Sequence, residues 1–140
     1  MKLYVSGKFD RWQYIGERIA ELEALGCTTT YNWTTEEARA LSMKCAAMKD
    51  IEGAIDSELH VIIIDDPAHH YRGTWCEVGA SLACLESTDK CKKIVICNLT
   101  TNKFHDFPFC HHPRIKMFFT WKETKSYIVR AIVDWSAMVD

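Results

Sequence analysis

Residues 59–67, which read LHVIIIDDP, decide the fold of this chain. The apolar run at 59–64 is too short and too continuous for an amphipathic helix, and it ends abruptly at Asp65-Asp66-Pro67. A strand without polar alternation is buried on both faces, which is typical of the parallel sheets of α/β proteins. We therefore expect a central, fully buried strand at Leu59–Ile64.

Four other segments read as strands because they are rich in apolar, β-branched or aromatic residues. They are residues 2–6, 28–33, 92–97 and 115–119. After the first of them, with Asp10 as the expected helix cap, apolar residues recur at helical spacing, namely Trp12, Ile15, Ile19 and Leu22.

Two Thr-x-x-Glu patterns mark further helix starts, because Thr and Glu at this spacing can bond each other's backbone N–H groups. The pattern at 34–37 opens a helical stretch to about residue 55, and the pattern at 120–123 opens the final helix. Another helix is expected at about 74–85. Strands and helices therefore alternate along the whole chain.

This alternation predicts a parallel sheet covered by helices on both faces. With right-handed crossovers it gives one doubly wound α/β domain over residues 1–140, flavodoxin-like or Rossmann-like, with five parallel strands in the order 2-1-3-4-5. Ligands of such sheets bind beyond the carboxyl ends of the strands, at the topological switch point. The expected site is therefore formed by residues 6–9 and 65–77.

Composition narrows the classes of partner. A length of 140 residues and an apolar fraction of 48 % fit one domain with a buried core. A formal net charge of −2 argues against a nucleic-acid polymer as partner, because proteins that neutralise phosphates are normally basic. No apolar run approaches the roughly 18 residues of a membrane span, and the first residues do not resemble a signal peptide. We expect a cytoplasmic protein without a membrane partner.

The seven cysteines are an odd number and include no Cys-x-x-Cys pair. We expect them to be small buried apolar residues in a reducing cytosol rather than zinc ligands. Adjacent histidines occur at 69–70 and 111–112, but no carboxylate–histidine spacing completes a metal site. We therefore predict neither a metal nor another cofactor.

The exit of the third strand holds the candidate catalytic residue. Gly73-Thr74 can form a tight entry to a helix, with Thr74 as its cap, and Glu77 then lies on the first turn near the cleft. Gly79 and Ala80 are small, which predicts close packing of this helix against the sheet. A purely structural alternative is that Glu77 completes a capping box with Thr74.

The pattern Gly73-Thr74-x-x-Glu77-Val78-Gly79-x-x-x-Ala83 resembles the nucleoside 2-deoxyribosyltransferase family, which includes the related 2'-deoxynucleoside 5'-monophosphate N-hydrolases. Three further stretches, at 2–7, 50–62 and 109–123, are similar to family elements, so the resemblance spans nearly the whole chain. It implies that Glu77 is the nucleophile that attacks the anomeric carbon. It also implies that residues 2–7 wrap the nucleobase and sugar, and that Asp50 lies in the active site.

The chain departs from the family pattern six residues before Glu77. Transferases of the family usually carry Asp there, and the monophosphate hydrolases carry a Ser that helps to hold the phosphate. This chain has Tyr71, followed by Arg72. The choice between a nucleoside and its 5'-monophosphate therefore stays open, although the nucleophile is not affected.

The chemistry requires more than one carboxyl group. An N-glycosidic bond breaks through an oxocarbenium-like transition state, which a nearby carboxylate stabilises or traps as a glycosyl ester. A second group must protonate the departing base, and Asp50, Asp65 and Asp66 are available. We assign catalytic roles to Glu77, Asp50 and Asp65. The structural alternatives are a turn for Asp65 and an exposed helix charge for Asp50.

We expect the substrate to be bound by residues at the carboxyl ends of the first and third strands. Lys8 and Arg72 are the basic groups at the mouth of the cleft. Each is either a ligand of a substrate phosphate or an ordinary solvated charge. Four aromatic side chains stack on a base or belong to the core, namely Tyr4, Phe9, Trp33 and Trp75. The full predicted binding set is Tyr4, Ser6, Gly7, Lys8, Phe9, Tyr71, Arg72, Gly73 and Thr74.

The expected activity is cleavage or transfer of the deoxyribosyl group of a small-molecule 2'-deoxynucleoside or its 5'-monophosphate. Transfer and hydrolysis stay open because they differ only in the attacking acceptor. The alternatives are a non-catalytic nucleotide-binding module on the same fold, and an N-glycosidase of another nucleotide such as a nicotinamide dinucleotide. Family members complete their sites with a neighbouring subunit, and residues 104–114 are rich in aromatic residues and histidine, so we expect at least a homodimer.

Overall fold

The computed structural model describes residues 1–88, 91–100 and 107–139. The strands are β1 Lys2–Ser6, β2 Thr28–Thr29, β3 Leu59–Ile64, β4 Lys93–Asn98 and β5 Ile115–Phe118. The helices are α1 Trp12–Ala24, α2 Glu36–Arg39, α3 Met43–Asp56, α4 Arg72–Ser87 and α5 Trp121–Val139. Short 3₁₀ turns cover Phe9–Arg11 and Pro108–His111.

The strands form one parallel sheet in the order β2-β1-β3-β4-β5, which confirms the predicted class and strand order. All six residues of β3 are buried, and each pairs with a residue of β4. A strand that is paired on both edges and buried on both faces needs apolar side chains at successive positions. The run at 59–64 therefore forms the centre of a doubly wound sheet.

Alternate residues of the sheet face two separate apolar layers. Val61 and Ile63 pack in one cluster with α1 and α5, whereas Ile62 and Ile64 pack in the other with α4. Because side chains alternate along a strand, Tyr4 and Ser6 of β1 share the α4 side with His60 of β3, which pairs with Tyr4 in register. Three polar side chains thus lie on one face beneath α4.

The second strand is shorter than predicted, because only Thr28–Thr29 of residues 28–33 is paired in the sheet. The Thr30 backbone still donates to the Leu3 carbonyl at 2.8 Å, but the chain then turns. The Trp33 indole folds back and donates to the Val5 carbonyl at 2.7 Å. This side-chain contact replaces further strand pairing and brings the Trp33 ring to the carboxyl end of β1.

The helix predicted from 34 to about 55 is two helices, α2 and α3. Thr35, rather than Thr34, caps α2 by accepting from the Ala38 N–H at 3.2 Å. A second cap follows at Ser42, whose hydroxyl accepts from the Cys45 N–H at 3.3 Å at the start of α3. The predicted single helix is therefore wrong, because a second capping residue occurs within it.

The two other predicted caps have opposite outcomes. Thr120 accepts from the Glu123 N–H at 3.2 Å, and its hydroxyl donates to the Glu123 carboxylate at 3.0 Å, which confirms that capping pair. Asp10 lies inside the 3₁₀ turn at Phe9–Arg11 and makes no capping bond, so its predicted role is wrong.

Two helical glycines differ in their surroundings, and this gives a first prediction. A Cβ atom at Gly53 would lie 2.8 Å from Tyr4 Cδ2 and 3.0 Å from Tyr31 Cβ, whereas one at Gly79 would meet nothing within 4 Å. The expectation that Gly79 permits close helix packing is thus wrong.

Gly53→Ala should lower the free energy of unfolding by roughly 1–2 kcal/mol, because crowding exceeds the gain in helix propensity. Gly79→Ala should raise it by about 0.5–1 kcal/mol. Urea unfolding measures both, and a more stable Gly53→Ala variant would contradict the packing around Tyr4.

The cysteines differ from the expectation in their exposure. Cys27 and Cys97 are buried, but Cys45, Cys76 and Cys91 are exposed, so the prediction of uniformly buried cysteines is wrong for these three. All seven thiols are unpaired. Among the helices of the described residues, none is long and apolar enough to cross a membrane.

Candidate active site

The loop between β3 and α4 is organised by Tyr71. Its backbone has a φ of 50°, in the left-handed region, and its side chain is buried. The phenol oxygen accepts from the N–H groups of Asp65 and Asp66 at 2.9 and 2.8 Å, and the hydroxyl donates to Asp65 Oδ1 at 3.0 Å. Because the phenol closes this loop, α4 begins at Arg72, two residues earlier than expected.

The earlier start changes the positions of two predicted residues. The residue before the helix is Tyr71, so Thr74 is not the cap and lies inside the first turn. Glu77 consequently lies on the second turn rather than the first. Its carboxyl group does not complete a capping box with Thr74, and it accepts a hydrogen bond from the Ser6 hydroxyl of β1 instead. The structural alternative for Glu77 is therefore wrong.

A second carboxyl group faces the same point from α3. Asp50 accepts from the Tyr4 hydroxyl at 3.2 Å, and the same phenol interacts with Glu77. Burial raises the pKa of Tyr4, and the charges of Glu77 and Asp50 raise it further. The phenol is therefore a neutral hydrogen-bond donor that lies between two acidic groups.

The acidity of Glu77 is shifted towards neutrality. Burial is the largest cause and, together with the charge of Asp50, it raises the pKa of Glu77 to about 7, against the opposing effect of the Ser6 hydrogen bond. Burial also raises the pKa of Asp50, against the hydrogen bond from Tyr4. A carboxyl group with a pKa near neutrality can hold and release a proton near neutral pH, as acid–base catalysis requires, and Asp50 is its neighbour.

A cavity of about 220 Å³ opens above these groups, at the carboxyl ends of β1 and β3. One of its walls is aromatic, because the Phe9 and Trp33 rings stack with centroids 6.1 Å apart and planes 22° apart. Phe9 is 59 % exposed, so its ring is accessible from solvent. The lining residues are Gly7, Phe9, Trp33, Asp50, His69, Tyr71, Gly73, Thr74 and Glu77.

The cavity brings together most of the residues predicted from the sequence. Tyr4 and Ser6 lie behind its wall and contact Asp50 and Glu77. Two lining residues were not predicted as site residues. Trp33 was one of several aromatic alternatives. His69, which packs edge-on against Tyr71 at 4.6 Å, was expected to be a solvent-facing or interface histidine rather than a metal ligand.

Besides Tyr4 and Ser6, three further predicted residues lie outside the cavity lining. Lys8 pairs with Asp66 at 2.8 Å, Asp65 pairs with Arg11 at 3.2 Å, and Arg72 is exposed at the start of α4. The lining therefore contains two carboxyl groups and, within the described ranges, no lysine or arginine.

His60 and Ser81 are contacts of the site that sequence reasoning missed. His60 Nε2 lies 2.6 Å from Ser6 Oγ, and its Nδ1 lies 2.7 Å from Ser81 Oγ on α4. The available signal was a single polar residue inside the run at 59–64, on the same face of the sheet as Ser6. In the part of the chain that the structure describes, no group of three or more His, Cys, Asp or Glu side chains is arranged to hold a metal ion.

Comparisons with protein-family models, with curated proteins and with solved structures found no significant match to this chain.

Proposed function

We propose that this protein cleaves the N-glycosidic bond of 2'-deoxynucleosides or their 5'-monophosphates, with Glu77 as the nucleophile. The observation that carries the proposal is the pairing of Glu77 and Asp50 at one cavity, with the Tyr4 phenol between them. The similarity of the Gly73–Ala83 pattern to the nucleoside 2-deoxyribosyltransferase family points to the same chemistry.

In this mechanism the two carboxyl groups have different roles. A Glu77 oxygen bonds to the anomeric carbon as the bond from that carbon to the base nitrogen breaks, and the bond's electron pair goes to the base. Asp50 takes up a proton from water in the open cavity and delivers it to the departing base. A water molecule, or the N–H nitrogen of a second base in a transfer reaction, then attacks the anomeric carbon, gives its proton to the Asp50 carboxylate and releases Glu77 as a carboxylate.

The remaining residues position these groups. Ser6 and Tyr4 hold the Glu77 carboxyl group from below, and a carboxylate fixed in this way needs little reorganisation before attack. Asp65 orders the loop through Tyr71 and Arg11, so in the proposal it supports the site without touching substrate. Gly73 and Thr74 bring the amino end of α4 to the cavity, where it favours a negatively charged substrate group.

The exposed ring of Phe9 is the proposed stacking surface for the base. Phe9→Ala should raise the KM for a deoxynucleoside about tenfold, because stacking of one base on an aromatic ring contributes roughly 1–3 kcal/mol. The value of kcat should change much less, since stacking on the base stabilises the bound substrate and the transition state about equally. Steady-state kinetics measure both constants. Phe119→Ala, at a ring that is also exposed but lies outside the cavity lining, is the matched control, and equal effects of the two changes would refute the stacking role.

The proposal also includes assembly and location. We expect at least a homodimer in the cytoplasm, where the unpaired thiols fit a reducing environment. The predicted interface at 104–114 lies partly outside the described residues. Within the described part of it, Phe109 is 43 % exposed.

One assay distinguishes the candidate activities. The protein is incubated with each of the four 2'-deoxynucleosides, with their 5'-monophosphates and with a nicotinamide dinucleotide, with and without an added acceptor base, and free base is measured by chromatography. Base release from a deoxynucleoside or its monophosphate supports the proposal, and dependence on the acceptor identifies transfer. Release of nicotinamide alone would indicate another N-glycosidase. Saturable binding with no release of any base would overturn the enzyme proposal in favour of a binding module.

A further inference from the structure

A chain of hydrogen-bonded side chains runs from Glu77 into the core. The Ser6 hydroxyl contacts the Glu77 carboxyl group and lies 2.6 Å from His60 Nε2. On the other side of the ring, His60 Nδ1 lies 2.7 Å from Ser81 Oγ, and Ser81 Oγ lies 3.2 Å from the Ala54 carbonyl oxygen. Ser6, His60 and Ser81 are buried, so water cannot replace any of these contacts.

The ring of His60 is neutral, because burial and the nearby charge of Lys92 lower its pKa to about 3. A neutral imidazole has one N–H donor and one acceptor nitrogen. Each serine hydroxyl likewise has a single hydrogen to donate. The direction of one hydrogen bond in the chain therefore fixes the direction of the others.

When Glu77 is ionised, the contacts that join Glu77, Ser6, His60 and Ser81 can be satisfied in only one direction. The Ser6 hydroxyl donates to Glu77, so its oxygen accepts from an N–H at His60 Nε2. His60 Nδ1 then has no hydrogen and accepts from the Ser81 hydroxyl. The Ala54 carbonyl loses this donor but keeps those from Ser57 and Lys92.

When Glu77 is protonated on Oε2, the oxygen that contacts Ser6, the same contacts are satisfied in the reverse direction. The carboxyl O–H donates to Ser6, and the Ser6 hydroxyl donates to His60 Nε2. The ring hydrogen is then on Nδ1 and is donated to Ser81, whose hydroxyl donates to the Ala54 carbonyl. The two states differ by one proton, which Glu77 exchanges with water, and by the ring nitrogen that carries the imidazole hydrogen.

We propose that His60 is a positioning residue whose tautomer reverses with the ionisation of Glu77, through the Ser6 hydroxyl. This arrangement leaves no buried polar group unpaired in either state, so the site tolerates both forms of Glu77. The inference rests on the proposed function only for the role of Glu77 as nucleophile. In that role, the Nε2–H tautomer of His60 keeps the Ser6 hydroxyl donating to Oε2 of the Glu77 carboxylate before attack. After attack through Oε1, Oε2 is the carbonyl oxygen of the ester, and Ser6 still donates to it.

Other titratable groups lie near these hydrogen-bonded side chains, but none of them takes the place of Ser6 or Ser81 beside His60. Asp50 of α3 and Tyr4 of β1 act directly on Glu77, and His69 lines the same cavity from the β3–α4 loop. Around His60, the Tyr4 ring packs at a centroid distance of 5.3 Å, and Lys92 bonds the carbonyl groups of the α3 end. Within the described residues, Ser6 and Ser81 are the hydrogen-bond partners of the His60 ring.

The test is nitrogen-15 NMR of histidine-labelled protein between pH 5 and pH 9, since the two tautomers have distinct ring-nitrogen shifts. His60 should remain neutral, with its hydrogen on Nδ1 at low pH and on Nε2 at high pH, and the midpoint should lie near 7. The spectra of the Ser6→Ala and Glu77→Gln variants should show no pH-dependent exchange, because each substitution removes the coupling.

Two results would overturn this inference: a single His60 tautomer across the whole range in the wild-type protein, or an exchange that persists in Ser6→Ala. The wild-type measurement needs no variant to fold and no turnover. A protein that releases no base could therefore still show the coupled tautomers, and an active enzyme could show a fixed one. The experiment therefore distinguishes failure of the tautomer proposal from failure of the proposed function.

Discussion

Replacement of Glu77 by glutamine should lower the rate of base release by at least about 10²–10³-fold while the protein still folds and binds a deoxynucleoside. Glutamine has the shape of Glu77 and can still accept the hydrogen bond from Ser6. It carries no negative charge and cannot form a glycosyl ester, so stabilisation of the oxocarbenium-like transition state is lost. Free base is measured by chromatography, and binding by calorimetry on the same sample.

Glu86→Gln is the matched control for this experiment. Glu86 lies on the same helix, α4, but is exposed and outside the cavity lining. This variant makes the same change of charge and should release base at the wild-type rate. A well-folded Glu77→Gln variant that is as active as Glu86→Gln would remove Glu77 from the catalytic machinery.

The class of fold could be predicted because it depends on local patterns. The run at 59–64 has to be buried on both faces, and its alternation with helical segments leaves few arrangements other than a doubly wound sheet. The same reasoning places Gly7 and Glu77 at the cavity, since both follow strands that are adjacent in the sheet. These inferences need no knowledge of side-chain contacts between distant segments.

The details that sequence reasoning missed depend on such contacts. The start of α4 was placed two residues late, because Gly73-Thr74 has the composition of a cap whereas the Tyr71 phenol binds the backbone of Asp65 and Asp66. The pairing of Ser6 with His60 joins positions 54 residues apart in the chain. Likewise, no local pattern indicates that Lys8 is paired with Asp66 and directed away from the cavity.

The stability of the protein should depend on pH through Glu77. Its pKa is about 7 in the folded protein, above its ordinary value of 4.5, so the folded state binds more protons than the unfolded state between these values. The contribution of Glu77 to stability is therefore fully present below about pH 4.5 and is lost as the pH rises through 7. Because a difference of one pKa unit corresponds to about 1.4 kcal/mol, the expected loss is roughly 3–4 kcal/mol.

Glu77→Gln removes this titration and so isolates it. The unfolding free energy of the variant minus that of the wild type should increase by about 3 kcal/mol from pH 4 to pH 8, because only the wild type must bury a charge at the higher pH. Urea unfolding at a series of pH values measures the difference, and Asp50 is present in both proteins. Glu86→Gln should follow the wild type throughout, since its side chain is exposed. A constant difference between Glu77→Gln and wild type over this range would show that the pKa of Glu77 is the same in the folded protein as in the unfolded chain, and would contradict the burial of its carboxyl group beside Asp50.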